Sequence, residues 1–521
     1  AALSGSEFSA SIKLSADNEA SLIQALGLAT VVSSGDGPAQ FEASAGGVWG
    51  APLQLKAKLT GAGVDGDIHG TGNPWAEQPA VALDVAVRRA DISPWLGAKP
   101  AGASPMSLAS RLGVSGNVFT LDNLDATVGG SRVRGRLMLT RGDETGLDGE
   151  IGLDALDLAA VTGLAFGAAG HDSAAPLDKG WLRGWRGKLA FQALSAVLPG
   201  GVEVRPLGGT VKGDGQSLVL ENVKGGIGGG EAAIDLDARQ GAGNEGTSLN
   251  ARVQLADVAG AALRYRSLAM PEGKVALQMT LSGQGRSAAG LTGALSGAGT
   301  LTLTDARFAG LDPRAFEVAM RASDSGQAKD DVRLREIVEP VLAAGALTVP
   351  SAQIPFGIKD GRLRIEAATL EARRARVAIA GGYDLLADQA DLRAIMSPVT
   401  TRPLNGRPEI RVDLNGSPDR LARTVDVAAL SSWLGLRAID RETRRLDQLE
   451  RGLTPAPEND GQLWDEELPS AEPIPPSQVK VPARDPRRKA PAAKTPAPRP
   501  PVAASPPPVA TPTPPPNGSA A

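Results

Sequence analysis

The stretch LDNLDATVGGSRVRGRLMLT, residues 121–140, is matched in its order of residue types by LENVKGGIGGGEAAIDLDAR, residues 220–239. Each reads leucine, an acid, asparagine, an aliphatic residue, three further residues, an aliphatic residue and a glycine pair. Glycine adopts positive φ without steric cost, which a tight β-hairpin turn requires. The pairs Gly129-Gly130 and Gly228-Gly229 therefore predict hairpins. SAGGVWGAPLQLKAKLTG at 44–61 is a variant of the same turn, and RVAIAGGYDL at 376–385 carries a further glycine pair.

The segment GGIGGGEAAID also has the glycine density of a phosphate-binding loop. Such a loop is followed by Lys-Ser or Lys-Thr and opens a helix. Here the glycines precede a run with a period of two, which favours the hairpin.

Short alternating segments extend from these hairpins through residues 1–420. In SLNARVQLAD, residues 248–257, the apolar residues fall on one face of a strand, and GKVALQMTLSG, residues 273–283, repeats the pattern. Side chains alternate between the two faces of a strand, so each segment has one apolar and one polar face. Such strands suit an antiparallel sheet with one dry and one wet face.

Aspartates recur where strand-like segments run into short helix-like ones. An aspartate in this position caps a helix by accepting hydrogen bonds from its first N–H groups. Capping accounts for all of them without an acid–base role: Asp91, Asp157, Asp257, Asp312 and Asp426.

The composition limits the function classes. The 521 residues are 42% hydrophobic but only 3% aromatic, so the apolar supply is Ala, Val, Leu and Ile. The net charge of −4 does not suit a nucleic-acid binder. There is no cysteine, and the two histidines, His69 and His171, lie in turn-like stretches where we expect ordinary surface positions. We expect no enzyme, cofactor or metal, because no His, Cys or paired-carboxylate motif converges.

The chain holds no stretch of the ~18 apolar residues that span a membrane. It begins at Ala1 and enters a strand-like pattern almost at once. We therefore expect an N-terminal portion, including any anchor, to be missing from this sequence.

Residues 424–452 predict a helix capped by Asp426 and stopped by Gly452. Its apolar stripe is predicted to start with Val427, Leu430, Trp433 and Leu434 and to continue at Leu446 and Leu449, flanked by arginines. Three interpretations stay open for this helix, which can dock on the sheet, bind a partner or lie on a membrane surface. Residues 453–521 are rich in proline and predict a disordered tail, whose basic cluster near Arg487 is expected to be solvated.

Three segments carry a resemblance to a known family. LTGALSGAGTLTLTDARFAGLDPRAF (291–316), IPFGIKDGRLRIEAATLEARRARVAIAGGYDL (354–385) and TVDVAALSSWLGLRAIDRETRRLDQLERG (424–452) resemble the C-terminal region of alphaproteobacterial AsmA-family proteins. The repeated hairpins are similar to the middle region of that family, so the resemblance covers roughly residues 1–452.

The resemblance implies a periplasmic protein of Gram-negative bacteria, held in the inner membrane by an N-terminal helix that this chain lacks. It implies an elongated, curved antiparallel sheet of the bridge-like lipid-transfer type, mainly β with short interspersed helices. The implied role is phospholipid movement between the inner and outer membranes in support of outer-membrane assembly. An envelope protein that binds the C-terminal helix or the tail is a further expected partner, and no nucleic acid is expected.

The sequence thus divides into a β-groove region (1–280), an AsmA-like C-terminal β region (281–423), an amphipathic helix (424–452) and the Pro-rich tail (453–521). An alternative is a structural or adhesive β-rich envelope scaffold whose apolar faces pack against each other. For the groove, a change at Leu277 should impair lipid passage more than one at its polar neighbour Gln278. The residues predicted to line the groove are Val133, Leu137, Leu139, Ile234, Leu236, Val253, Leu255, Leu277, Leu281, Leu301, Leu303, Ile410 and Val412.

Overall fold

Alternating segments of the chain form strands almost throughout the described residues. The computed structural model describes residues 6–93, 105–142, 145–166, 170–177, 185–241, 246–400 and 406–452. The predicted Pro-rich tail and its basic cluster lie outside these residues.

The strands are numbered in chain order. The first nine are β1 (Glu7–Ala16), β2 (Ala39–Val48), β3 (Leu53–Thr60), β4 (Asp65–Asn73), β5 (Ala80–Asp91), β6 (Pro105–Ser115), β7 (Val118–Val128), β8 (Ser131–Thr140) and β9 (Thr145–Asp157). The next nine are β10 (Trp185–Val197), β11 (Glu203–Val204), β12 (Leu207–Asp214), β13 (Ser217–Ile227), β14 (Gly230–Gln240), β15 (Thr247–Ala259), β16 (Arg264–Tyr265), β17 (Leu268–Ala269) and β18 (Glu272–Gly285). The last are β19 (Ser296–Ala309), β20 (Ala346–Lys359), β21 (Arg362–Glu371), β22 (Ala375–Asp384), β23 (Gln389–Pro398), β24 (Ile410–Gly416) and β25 (Ala422–Asp426).

Short helices interrupt the strands. They are α1 (Glu19–Ala25), α2 (Leu158–Phe166), α3 (Ala288–Gly293), α4 (Arg314–Asp324), α5 (Asp331–Ala344) and α6 (Ala428–Glu450), with a 3-10 turn at Gly260–Ala262.

Within the described part of the chain, 23 strands form one curved, unclosed sheet, and β16 and β17 form a separate hairpin. Neighbours in the sheet follow chain order from β1 to β25, apart from the short β11, which pairs beside β10. The mainly β, curved antiparallel architecture expected from the sequence is therefore confirmed. One exception is the parallel pair β9–β10, whose connection includes α2 because parallel neighbours need a long crossover. Residue 280 lies inside β18, and strand pairing continues on both sides of it.

The glycine pairs divide into two kinds. Gly129-Gly130 and Gly228-Gly229 all have positive φ and form the β7–β8 and β13–β14 turns, as predicted. The hairpin predicted within 44–61 is present, but the chain turns at residues 49–52 and not at the glycine pair, because Gly46-Gly47 lies inside β2. Gly381-Gly382 also lies inside a strand, where a Cβ on Gly381 would come within 2.1 Å of the Asp391 carbonyl oxygen.

A described helix follows Asp157, Asp312 and Asp426, whereas the segment that Asp91 would cap lies outside the described residues from residue 94 onward. Asp91, Asp157, Asp312 and Asp426 each accept a hydrogen bond from the N–H two residues further on, at 2.9–3.0 Å. The prediction for Asp257 was wrong. This residue has φ +53° at a β-bulge within β15, where the register with β18 shifts.

The largest core lies at the C-terminal end of the sheet. There α4, α5 and α6 pack against β19–β25, with Phe316, Leu334, Met396 and Leu430 fully buried. Two smaller clusters of buried residues lie closer to the N-terminal strands of the sheet, one around Val258 and one around Trp185.

The last helix, α6, begins after Asp426 and ends before Gly452, which has φ +67°, as predicted. The prediction of one continuous apolar stripe was wrong. Leu430 and Leu434 are buried in the core, whereas Leu446 and Leu449 point away from it and are exposed.

Candidate functional site

Strand register aligns apolar residues across the whole sheet. In each strand of the sheet from β1 to β24, one residue is paired directly with a residue of the strand before it and a residue of the strand after it in that range, and these residues form an unbroken row. The row leaves out the short β11 and the separate hairpin β16–β17. Directly paired residues point to the same face of a sheet, so these side chains share one face. We call the set the central apolar row: Ala10, Ala45, Leu55, Gly70, Leu83, Leu112, Leu121, Leu137, Gly149, Leu189, Val211, Leu220, Leu236, Ala251, Leu281, Gly297, Ile358, Leu363, Tyr383, Ala390 and Gly416.

The residues predicted to line a groove lie on the same face as this row. Leu137, Leu236 and Leu281 belong to it, and the others follow it at alternating positions of their strands. Three of them are core residues: Leu303 is 1% exposed, Ile410 0% and Val412 4%, beneath α4–α6. The remaining predicted residues are half-buried, except Leu139, which is 39% exposed.

The opposite face carries charge. Cross-strand ion pairs join Arg136 to Asp122 at 2.8 Å and Arg393 to Asp413 at 3.0 Å. Burial pushes the pKa of Asp413 up, but hydrogen bonds from Arg393 and Arg411 outweigh it and hold that pKa below its usual range. Ion pairs on a solvated face of this kind each add little stability.

A hairpin reaches across the apolar side of the sheet at its C-terminal half. Leu263 and Met270, which flank β16–β17, pack against the C-terminal core. Arg266 lies 2.7 Å from Asp388 in the β22–β23 turn, and the Ser267 hydroxyl donates to the Pro418 carbonyl in the β24–β25 turn. We call these contacts, together with Tyr265 and Tyr383, the clasp.

The clasp gathers both tyrosines of the chain around one carboxylate. The Tyr383 hydroxyl donates to Asp388. Burial, together with the Asp388 charge, raises the pKa of Tyr265 and of Tyr383 above the ordinary value. Arg266 also lies 3.4 Å from Asp419, so its charge faces two acids.

The first two strands carry features of their own. At one end of β1 and β2, the Trp49 ring is tilted against that of Trp75, with 4.4 Å between ring centres, and meets the Phe8 ring edge to face at 6.4 Å. Beside the same strands, α1 contributes the buried Glu19, whose carboxylate accepts backbone N–H groups of Gly35, Gly63 and Val64.

Side chains that commonly ligate metal ions are dispersed over the described residues. These residues contain no group of three or more His, Cys, Asp or Glu side chains placed to hold a metal ion. His69 and His171 are both exposed, as expected, but the turn-like position predicted for His69 was wrong, because His69 lies inside strand β4. Among the helices described, none is both long enough and apolar enough to cross a membrane.

Comparisons of the chain with protein-family models, with curated proteins and with solved structures found no match.

Proposed function

We propose that this chain is an AsmA-like protein of the bacterial cell envelope that binds phospholipid acyl chains along the apolar face of its sheet. In this role it is not an enzyme. It holds or conducts lipid between the inner and outer membranes, anchored to the inner membrane and exposed to the periplasm, in support of outer-membrane assembly. The observation that carries the proposal is the central apolar row, which continues through strand after strand without a charged residue.

An acyl chain needs a continuous dry strip, and this row supplies one. Half of a ~30 Å hydrocarbon core is about 15 Å, which corresponds to roughly three strands at ~4.8 Å spacing. Each buried methylene contributes about 0.8 kcal/mol, so several strands together hold a chain firmly without a specific pocket.

The shape of the sheet favours this use of the apolar face. Side chains converge on the inner face of a curved sheet and spread apart on the outer one. Leu137 is half-buried, whereas its neighbours Arg136 and Met138 on the opposite face are exposed. We infer that the apolar face is the inner one.

The accessible part of this face lies toward β1. Ile12 is 59% exposed there, while the same face under α4–α6 is filled by the core. The proposed lipid strip therefore covers β1 to about β18 and ends at the C-terminal core.

Adjacent residues of β8 provide a matched test. Leu139 and Met138 are 39% and 37% exposed but point to opposite faces. A photo-reactive amino acid at Leu139 should cross-link phospholipid in cells, and the same group at Met138 should cross-link at least tenfold less.

Equal cross-linking at the two positions would contradict the proposal. Absence of lipid at both would favour the second candidate, a structural scaffold of the envelope. That candidate is supported by the packed core at the C-terminal end, where the apolar face already has a protein partner.

A further inference from the structure

The second half of α6 presents an apolar stripe to solvent. Leu436 and Ile439 are each 64% exposed, and Leu446 and Leu449 are each 52% exposed. Leu436, Ile439, Thr443 and Leu446 follow alternating spacings of three and four, the a and d positions of a heptad pattern. Leu449 adjoins them at a g position, and we call Leu436, Ile439, Thr443, Leu446 and Leu449 the α6 stripe.

The opposite side of the helix is fixed to the body. Arg437 and Arg441 both reach Asp324 at the end of α4, at 2.8 Å and 2.6 Å. Leu430 and Leu434, one or two turns earlier on that side, are buried in the core. These contacts orient the helix so that its stripe faces outward.

Acidic residues border the stripe. Asp440 and Asp447 occupy the e positions on one side, and Glu442 occupies a g position on the other, 3.7 Å from Arg445. Residues at e and g face the partner helix in a coiled coil and decide which partner binds.

This border excludes a second copy of the same helix. In a parallel pair, Glu442 of one copy faces Asp447 of the other, and in an antiparallel pair Asp440 faces Asp440 or Asp447. At the stripe itself an anionic membrane surface would meet the carboxylates of Asp440, Glu442 and Asp447, while Arg437 and Arg441 are turned toward Asp324 and Arg445 lies beside Glu442.

We propose that the α6 stripe is a docking surface for a basic amphipathic helix of a partner protein. Its leucines supply the apolar contact, and its acidic border selects lysine or arginine at the partner's flanking positions. This surface is separate from the proposed lipid strip.

The test uses two designed peptides with leucine at a and d, one with lysine and one with glutamate at e and g. The full chain should bind the lysine peptide, measured by fluorescence anisotropy, and not the glutamate peptide. Ile439→Asp should weaken binding by about tenfold or more. Leu139→Asp, which alters the lipid strip, should leave peptide binding unchanged, so the two proposals can fail independently.

A charge exchange gives the decisive result. The double variant Asp440→Lys, Asp447→Lys should prefer the glutamate peptide, provided circular dichroism shows an unchanged helix content. Retained preference for the lysine peptide would overturn the proposal, as would Ile439→Asp with full affinity. Self-association of the chain through the stripe, or stripe-dependent binding to anionic phosphatidylglycerol vesicles, would also overturn it.

Discussion

Asn222 has φ +52° in the middle of β13, at the point where the register with β14 shifts by one residue. Asn123 has the same φ at the equivalent point of β7. Asparagine tolerates this left-handed conformation better than other side chains, and an extra residue there bends the strand as a β-bulge. The repeated motif of the sequence therefore encodes a bulge followed by a hairpin turn.

Replacing Asn222 by valine should lower the free energy of unfolding by about 1–2 kcal/mol, because a β-branched residue is strained in this conformation. Asn222 is exposed, so little packing is lost. Urea unfolding followed by circular dichroism measures the difference. Asn222→Gly, which accepts positive φ freely, is the control and should stay close to the wild type. Equal losses in both variants would contradict the bulge explanation.

Glu19 holds three backbone segments together. Its Oε2 accepts the N–H groups of Gly35 and Gly63 at 2.7 Å each, and its Oε1 accepts that of Val64 at 2.8 Å. A buried carboxylate with this many donors fixes α1 and two loops at the end of the first strands.

Glu19→Gln should cost about 1–3 kcal/mol of stability, because the amide nitrogen places a donor against a buried N–H. Thermal unfolding compares it with Asp17→Asn, an exposed carboxyl two residues away that should change little. A Gln variant as stable as the Asn variant would show that these hydrogen bonds are not needed.

Residue roles were predictable from the sequence only where they depend on local chemistry. Asp157 caps α2 as its position predicts, by accepting the N–H groups of Ala159 and Ala160, since a cap needs only the next turn. Glu19 was missed because its partners Gly63 and Val64 lie more than 40 residues away in sequence. The asparagine of the repeated motif did carry a signal, because asparagine is enriched at positive φ.

The β16–β17 hairpin connects strands of the sheet that are not paired with each other. It follows β15, yet Ser267 and Pro418 are separated by 151 residues. The clasp thus ties the middle of the chain to the turns of β22–β25.

The clasp predicts an unusual alkaline titration. Both tyrosine pKa values are raised in the folded state. A raised folded pKa means that the folded state keeps a proton the unfolded state loses, so stability is complete below about pH 10 and falls as pH rises above it. Since the chain has only two tyrosines, near-ultraviolet absorbance of tyrosinate reports on the clasp alone.

In the folded protein little tyrosinate should form at pH 10, whereas in urea both tyrosines should titrate near their ordinary pKa of about 10. Asp388→Asn should move the Tyr383 pKa part of the way back, because burial remains while the charge is removed. Ordinary titration in the folded wild type would show that the clasp is open in solution.

Element types were largely predictable, but their tertiary partners were not. Alternation predicted the strands, and Asp426 and Gly452 predicted the ends of α6. The stripe of α6 was misjudged because Leu446 lies on the opposite side of the helix from Leu430, and only the contact with Asp324 decides which side faces the body. A glycine pair in the sequence does not by itself show whether it forms a turn or lets two strands approach each other closely.

For the whole molecule, the uneven distribution of core predicts uneven stability. Strands that contact only their neighbours gain little stability from distant parts of the sheet. Strands β19–β25, in contrast, are covered by three helices. Hydrogen exchange measured by mass spectrometry should therefore show stronger protection in β19–β25 than in β2–β8. Uniform protection along the chain would contradict this description.

The mainly β class follows from alternation, because a period of two over many segments permits little else than strands, whereas the single curved, open sheet was expected only from the family resemblance. Whether helices cover the apolar face at the C-terminal end of the sheet depends on how α4–α6 pack, and the periodicity of the sequence does not specify that packing. For this reason Leu303, Ile410 and Val412 were counted among groove residues although they are core residues.

In the proposed function, the open part of the apolar face binds lipid. The most direct measurement is mass spectrometry of lipids that co-purify with the full chain, compared between Leu139→Asp and Met138→Asp. We expect stoichiometric phospholipid on the wild type and on Met138→Asp, and a clear loss on Leu139→Asp. A folded, lipid-free wild type, or equal lipid on both variants, would contradict the proposed function.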